Sequence, residues 1–144
     1  MYFAKDMLEA KKALEAMGHI VYVPKTAKKC VSNPHLNIDF KFVLENNCMM
    51  DHFNKIKKSD AILVINKRRQ GHDGYIGGST LMEIAVAKFL GKTIFILNKL
   101  PSENKISYIF EVKVAQPIIL NGDLSKIFSL SPESLAKEES PYEE

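Results

Sequence analysis

The sequence lacks the features that mark membrane, disulfide-rich and zinc-binding proteins. It has no tryptophan and only two cysteines, Cys30 and Cys48, which are far apart and belong to no C-x-x-C pattern. We therefore expect two buried, reduced thiols rather than a structural metal site or a redox pair. No apolar run approaches the ~20 residues that cross a bilayer, and the N-terminal residues form no signal-peptide pattern. The expected location is the cytoplasm.

Composition and charge predict one basic domain followed by an acidic tail. The chain has 144 residues, of which 46% are apolar and 26% charged, as in soluble globular proteins. Residues 131–144 carry five acids and one lysine, so residues 1–130 have a net charge of +7. We predict a folded domain over 1–130 and a disordered tail over 131–144. Because the lysines are scattered without interleaved aromatics, a small anion such as a nucleotide is the expected ligand rather than nucleic acid.

Apolar periodicity predicts helices that alternate with strands. Helical spacing extends over residues 4–17, and Gly18 is expected to end this helix. The nearly unbroken apolar run DAILVIN (60–66) is typical of a strand covered on both faces of a parallel sheet. The other predicted elements are a strand at HIVYVP (19–24), a loop at 25–37, a helix at 38–59, a helix at 80–90 ended by Gly91, a strand at 93–98, a short helix at 102–112 and a strand at QPIIL (116–120). This order predicts a single α/β domain with a doubly wound, Rossmann-like or flavodoxin-like parallel sheet.

The stretch GHDGYIGGSTLMEI (71–84) contains the main candidate site residue, Glu83. Thr80 and Glu83 fit the capping box T-x-x-E, so the glutamate could serve only to start the helix. Gly77 and Gly78 could likewise serve only a tight turn. Alternatively, Glu83 lies just beyond the carboxyl end of a buried strand, where ligands of open α/β sheets bind. There an ionised carboxylate could act as a nucleophile or accept a hydrogen bond from a sugar hydroxyl.

Several neighbouring residues allow both a functional and a structural interpretation. Tyr75 could stack on a base or anchor the loop in the core, and the cations at 67–69 could meet a phosphate or only be exposed. His72 and Asp73 are adjacent in a glycine-rich loop, which favours a solvated turn over an acid–base pair or a metal ligand. His52, farther from the loop in sequence, is expected at the surface.

Two segments carry a resemblance to a known family. SDAILVIN (59–66) and GYIGGSTLMEIAVAKFLGKTIFIL (74–97) resemble the nucleoside 2-deoxyribosyltransferase-like superfamily, which includes the deoxynucleoside 5′-monophosphate N-glycosidases. The segments LEAMGHIVYVP (14–24) and QPIILNGDLSKI (116–127) are similar to one of its bacterial branches. The resemblance covers about residues 1–127. It is most specific at the helix start ST-x-x-E-I-A-x-A.

The resemblance implies an enzyme that cleaves or transfers at an N-glycosidic bond. Glu83 would attack the anomeric carbon of a 2-deoxyribosyl group, and Ser79 would bind a sugar hydroxyl or a phosphate. The rest of the implied substrate site is Gly74, Tyr75, Gly77 and Gly78. No metal or organic cofactor is implied, and a homodimer or larger homo-oligomer is expected because related sites are completed by a neighbouring subunit.

The sequence departs from the family pattern at two places. An aspartate is expected six residues before the glutamate, where this chain has Gly77, so the second catalytic role falls to Asp73 only if the loop folds back. The opening strand of the family has no counterpart before helix 4–17. Either the sheet lacks that strand, or the natural protein begins about ten residues upstream, enough for a strand of ordinary length. These departures keep open a nucleotide- or nucleoside-binding module without turnover, and a structural or interaction domain.

Overall fold

The computed structural model describes residues 2–127 and has an α/β fold with a small parallel sheet. Within these residues the α-helices are α1 (Ala4–Ala16), α2 (Ala27–Ser32), α3 (Phe40–Glu45), α4 (Cys48–Lys57), α5 (Gly78–Phe89) and α6 (Ile109–Val114). The strands are β1 (Ala61–Val64), β2 (Thr93–Ile96) and β3 (Ile118–Ile119). Short 3₁₀ turns occupy Pro34–Ile38 and Leu124–Lys126. None of the described helices is both long and apolar enough to cross a lipid bilayer.

The three strands pair in sequence order, β1-β2-β3, and all pairs are parallel. Leu63 lies opposite Phe95, and Phe95 lies opposite Ile118. The strands predicted at 60–66, 93–98 and 116–120 are therefore confirmed, each with narrower bounds. Since consecutive parallel strands need a crossover, α5 joins β1 to β2 and α6 joins β2 to β3.

Alternation along β2 separates the tight core from an open side. Ile94 and Ile96 point to one face and pack in the main apolar cluster with residues of α5 and α6. Phe95 points to the other face, where it lines a large cavity together with Leu63 and with Leu14 of α1. The cluster around Ile94 and Ile96 also contains these buried residues: Ile56, Val64, Ile76, Ile84, Ala87, Ile106, Ile109, Val112 and Ala115.

The strand predicted at 19–24 is wrong. These residues form no regular structure, and residues 20–23 make no backbone–backbone hydrogen bond within the described part of the chain. The β-branched and aromatic side chains favour a strand, but a strand needs a partner with which to form a ladder, and none pairs with this segment.

The single helix predicted over 38–59 is also wrong. Asn47 has a left-handed backbone, with φ of 49°, and separates α3 from α4. Asparagine tolerates this conformation better than most residues, so the Asn46-Asn47 pair provides the break that apolar periodicity did not reveal. The loop predicted at 25–37 contains α2 and the first 3₁₀ turn.

The short helix predicted at 102–112 is confirmed only in part, since residues 102–108 form no helix and α6 spans Ile109–Val114. Both predicted glycine stops are confirmed. The first helix ends at Ala16, followed by Gly18 at φ of 94°, and the helix before β2 is followed by Gly91 at φ of 71°. Cys30 and Cys48 are buried and free. The predicted acidic tail at 131–144 lies outside the described residues.

Candidate functional site

A cavity of about 1210 Å³ lies against the face of the sheet that carries Leu63 and Phe95 and reaches the edge of β1 that does not face β2. Its walls come from α1, residues 20–24, β1, α4 and the start of α5. Five of the residues proposed from sequence line it: Tyr75, Gly77, Gly78, Ser79 and Glu83. The cavity therefore brings together the second half of the glycine-rich loop and the candidate nucleophile.

The loop between β1 and α5 is held by a tight hairpin and by the core. Gln70 and Gly71 both have positive φ, 50° and 78°, which is the two-residue type I′ turn, and backbone hydrogen bonds join Arg69 to His72 on either side. The Tyr108 hydroxyl donates to the Ile76 carbonyl and so fixes the second half of the loop. Burial raises the pKa of the Tyr108 phenol, and the neighbouring Tyr75 phenol raises it further. Tyr108 therefore remains a neutral donor.

Tyr75 serves the structural role that the sequence left open and also borders the cavity. Its ring packs against the main apolar cluster, and its amide donates to the Lys67 carbonyl at 3.0 Å. The same ring is part of the cavity wall. An anchored aromatic ring at the edge of a cavity gives a bound base a rigid surface to stack on.

Helix α5 begins two residues earlier than predicted, and this overturns the capping interpretation of Glu83. The N-cap residue is Gly77, no side chain caps the helix, and the Leu81 amide donates to the Gly77 carbonyl at 3.0 Å. Glu83 is therefore the sixth residue of the helix, not a member of its first turn. The capping box with Thr80 is not formed, because Thr80 is already inside the helix.

The two glycines at the helix start are not required by the backbone. Gly77 has φ of −85° and ψ of 170°, an extended conformation open to any residue, and Gly78 does not have positive φ. A Cβ added at Gly78 would meet nothing within 4 Å. The tight-turn explanation is therefore wrong. At Gly78 the missing Cβ leaves open space at the start of α5, where the helix dipole favours an anion.

Glu83 contacts His52, a residue that the sequence placed at the surface. The Glu83 Oε1 lies 3.0 Å from His52 Nδ1, and the side chains are 31% and 16% exposed, respectively. A carboxylate without a proton can only accept hydrogen bonds, so this contact with Glu83 in that form requires the tautomer of His52 that has its proton on Nδ1. His52 thus fixes the carboxylate at the cavity wall. The sequence held a signal for this, since Cys48, His52 and Ile56 follow one another at four-residue spacing on the buried side of α4.

Of the three cations at 67–69, one is positioned to meet a ligand in the cavity. Lys67 pairs with Asp6 at 2.8 Å, and Arg68 pairs with Asp73 at 2.9 Å. The guanidinium of Arg69 instead lies over the rings of Tyr2 and Tyr75 and lines the cavity. Within the described chain Arg69 has no carboxylate partner, so its donors can serve a bound anion.

The remaining predicted site residues lie elsewhere. Asp73 is 83% exposed and belongs, with Gly74, to a second pocket of about 490 Å³ that Glu83 does not line. Gly74 has φ of 70°, and a Cβ there would lie 2.2 Å from the Lys99 carbonyl oxygen. Gly74 is thus explained by close backbone packing. The structure does not bring Asp73 into the cavity that contains Glu83.

The buried Asn66 and the half-buried Asn98 connect the strand ends at the carboxyl edge of the sheet, and neither was singled out from the sequence. The Asn66 side chain accepts from the Asn98 amide and donates to the Asn98 carbonyl, both at 2.8 Å. It also donates to the Gly74 carbonyl at 3.3 Å. Asn66 lies two residues after the end of β1 and is fully buried. Its side chain therefore connects the end of β1 with the end of β2 and with the loop at Gly74.

Three buried polar atoms have no hydrogen-bond partner among the described residues: Thr26 Oγ1, His52 Nε2 and His72 Nδ1. Two of the three residues, Thr26 and His52, line the large cavity. Because an unpaired buried polar atom is costly, the cavity walls are suited to a partner with polar groups of its own. Within residues 2–127, no cluster of three or more His, Cys, Asp or Glu side chains could hold a metal ion.

Comparison of this chain with protein-family models, with curated proteins and with solved structures finds no match.

Proposed function

We propose that the protein cleaves or transfers at the N-glycosidic bond of a 2-deoxynucleoside or its 5′-monophosphate, with Glu83 as nucleophile. The observation that carries the proposal is the carboxylate of Glu83, held by His52 at the wall of the large cavity. Glu83 has no capping role that would explain it, and the sequence around it carries the family resemblance.

The reaction follows from a fixed carboxylate beside a sugar. Glu83 Oε2 or Oε1 attacks the anomeric carbon, the C–N bond breaks, and its electron pair leaves on the base, which takes up a proton from solvent. A covalent ester between Glu83 and the deoxyribosyl group results. Water or a second base then attacks the same carbon and gives a proton back to solvent, and the carboxylate is released with net retention of configuration. His52 positions the carboxylate for attack through its Nδ1–H.

Two groups of hydrogen-bond donors in the same cavity could bind a phosphate. The guanidinium of Arg69 lines it, and the first amides of α5, at Gly78 and Ser79, are not used by any side-chain cap. Helix N-termini and arginine are both common phosphate partners in proteins. This arrangement supports the monophosphate as the preferred substrate form.

The proposal includes a finer fold and a cellular setting. The parallel sheet would belong to a doubly wound, Rossmann-like or flavodoxin-like domain in the cytoplasm. It would act as a homodimer or larger homo-oligomer. Exposed apolar side chains support self-association, since Phe40 and Leu44 on one side of α3 are 77% and 61% exposed.

The test is release of free base. The protein is incubated with each of the four deoxynucleosides and their 5′-monophosphates, and free base is measured by chromatography. Glu83→Gln keeps the shape of the side chain but removes the nucleophile, so we expect base release to fall at least about 100-fold. The matched control is Glu111→Gln on α6, which is exposed and outside the cavity.

Two results would contradict the proposal. One is base release that Glu83→Gln and Glu111→Gln leave equally unchanged. The other is tight nucleotide binding by the wild type with no base release under any condition.

The alternative, a nucleotide- or nucleoside-binding module without turnover, is favoured by the position of Asp73. The only carboxylate proposed as the second catalytic group pairs with Arg68 outside the cavity. In a binding module, Glu83→Gln would change the dissociation constant measured by calorimetry, and no substrate would be consumed.

A further inference from the structure

The smaller pocket, of about 490 Å³, lies at the carboxyl edge of the sheet, and we refer to it as the edge pocket. The segment after each strand contributes to its lining: Asn66 follows β1, Lys99 follows β2 and Asn121 follows β3. In open α/β sheets, ligands bind in the crevice outside the carboxyl ends of the strands. Among the described residues, none that lines the edge pocket also lines the large cavity. A ligand here would therefore be separate from one at Glu83.

The strand ends around the edge pocket are held in place by hydrogen bonds. The Asn66 side chain already connects Asn98 with Gly74, and the Gly122 amide donates to the Leu97 carbonyl at 2.7 Å. A Cβ added at Gly122 would lie 3.8 Å from Asn98 Oδ1, so the turn after β3 packs beside the end of β2. The pocket is therefore formed before any ligand binds, as is usual for small-molecule sites.

The charged side chains that line the edge pocket are mostly cationic. They are Lys67, Arg68 and Lys99, against the single carboxylate of Asp73. Lys67 pairs with Asp6 outside the pocket. Lys99 is exposed and has no carboxylate partner within the described residues. An excess of positive charge in a concave site favours a small anion.

The ion pair between Arg68 and Asp73 is weak enough to give way to such an anion. It consists of one contact, from Arg68 Nη1 to Asp73 Oδ1 at 2.9 Å, and the side chains are 64% and 83% exposed. Exposed ion pairs of this kind contribute little to stability. A phosphate group can instead accept two parallel hydrogen bonds from one guanidinium. Exchange of Asp73 for a phosphate would thus give Arg68 a stronger partner.

The backbone adds further donors to the edge pocket. The amides of Gly74, Lys99 and Asn121 donate to no backbone carbonyl within the described residues. All three residues line the pocket, and two of them, Gly74 and Asn121, have positive φ of 70° and 51°. Oxyanions accept charge-assisted hydrogen bonds from backbone amides as well as from cations. The side chains of Asn98 and Asn121 carry both donors and acceptors, which is what a sugar hydroxyl requires.

We propose that the edge pocket binds a small phosphate ester of the phosphorylated-sugar class. The phosphate contacts Arg68 and Lys99, and the hydroxyl groups of the ligand contact Asn98 and Asn121. The pocket volume of about 490 Å³ lies within the range of about 300–1,000 Å³ of small-molecule sites, which is more than a free phosphate ion needs. This site goes beyond the proposed function, because its residues are not those around Glu83.

The test is binding of ribose 5-phosphate to the full chain, followed through the backbone amide signals in NMR at constant ionic strength. Inorganic phosphate and unphosphorylated ribose are the comparison ligands. We expect ribose 5-phosphate to shift the amide signals of Gly74, Lys99 and Asn121. It should bind at least about threefold more tightly than inorganic phosphate, because its hydroxyls add hydrogen bonds. Ribose alone should leave these signals in place, since it lacks the group that the cations bind.

Two charge changes in the pocket should have opposite effects on the dissociation constant. Lys99→Gln removes a cation and should weaken binding of ribose 5-phosphate at least about fivefold. Asp73→Asn removes a competing carboxylate and frees Arg68, so binding should tighten about threefold. The matched controls are Lys105→Gln and Glu111→Gln, which make the same charge changes at exposed residues outside both cavities. Both controls should bind as the wild type does.

Three outcomes would overturn the proposal. If Lys99→Gln and Lys105→Gln weaken binding equally, the ligand is an adventitious ion only. If the shifts appear at Arg69 and Ser79 instead, the ligand occupies only the large cavity. If inorganic phosphate binds as tightly as ribose 5-phosphate, the pocket takes a free anion and not an ester. Base release is not measured in this test, so its failure is distinct from failure of the proposed function.

Discussion

The two sides of β1 differ in how they are packed. On one face of the sheet, Ile94 and Ile96 of the neighbouring β2 lie within a continuous apolar cluster that includes α5 and α6. On the other face, Leu63 borders a cavity of about 1210 Å³, and the outer edge of β1 has no strand partner among the described residues. The residues that we assign to chemistry, Glu83 and His52, also line this cavity. Stability and function are therefore expected to depend on different sides of the same strand.

Helix α5 contributes residues to both the apolar cluster and the cavity wall. Ile84 and Ala87 of α5 are buried in the cluster, whereas Glu83 lines the cavity. Adjacent residues of a helix point about 100° apart, so Glu83 and Ile84 lie on different faces. The packing of Ile84 and Ala87 in the cluster fixes α5 and therefore the position of the Glu83 carboxylate on its cavity face.

The largest effect is expected from a pair of side-chain truncations, one in the apolar cluster and one at the cavity. Ile96 is 0% exposed, so Ile96→Ala removes contacts and leaves a new cavity, and we expect a loss of about 2–5 kcal/mol in the free energy of unfolding. Leu63→Ala borders a cavity that already exists, so we expect a loss under about 2 kcal/mol. Urea denaturation of both variants measures the difference. Equal losses would show that the cavity side is as well packed as the core.

A second pair of variants distinguishes a glycine that the backbone requires, Gly74, from one that only leaves open space, Gly78. Gly74→Ala places a Cβ at a positive φ and against the Lys99 carbonyl, so we expect a loss of about 2 kcal/mol. Gly78→Ala meets nothing within 4 Å and should be as stable as the wild type or up to about 1 kcal/mol more stable.

For both Gly74→Ala and Gly78→Ala, the stability measured by thermal or urea unfolding is compared with the affinity for nucleotides. Gly78→Ala is expected to weaken binding without loss of stability, because it fills space in front of the helix amides. A stable Gly78→Ala variant that binds every tested nucleotide as the wild type does would remove the helix start from the site.

The smallest effect is expected at the ion pair between Asp51 and Lys55 of α4, on the cavity side of the molecule. Burial disfavours ionisation of Asp51, but the hydrogen bond and charge of Lys55 outweigh it, with further contributions from Lys25 and His52, so the pKa of Asp51 lies below its usual 3.8. The ionised Asp51 therefore stabilises the folded state fully above about pH 4, the pKa range of the unfolded chain. This stabilisation is lost as the pH falls through the lower pKa of the folded state. The same Lys55 holds the Val23 carbonyl.

We therefore compare the wild type with Asp51→Asn by urea denaturation at several pH values. At about pH 6 the variant should be less stable by under about 1 kcal/mol, and the difference should shrink toward about pH 3. A difference that grows at low pH would contradict the assignment.

Local sequence patterns predicted most elements of the fold but misjudged the start of α5. The strand at 61–64 and the glycine stops at Gly18 and Gly91 follow from apolar runs and backbone freedom, which act within a few residues. The capping box was misleading, since Thr80 and Glu83 have the right spacing for a cap that is not formed. Where a helix starts within such a stretch depends on what packs against it. The sequence alone could not show that α4 approaches Glu83.

The sequence alone was sufficient to predict the alternation of helices and strands, the parallel α/β class, the buried thiols and Glu83 as the main candidate site residue. These depend on periodicity, propensity and local motifs, which need no knowledge of distant residues. Three features depend on how the elements pack: the hydrogen bond of Glu83 to His52 instead of a cap with Thr80, the position of Asp73 outside the cavity, and the absence of a strand partner for residues 20–23 within the described chain. Each of these depends on contacts between residues far apart in the chain, which form only when the elements pack together.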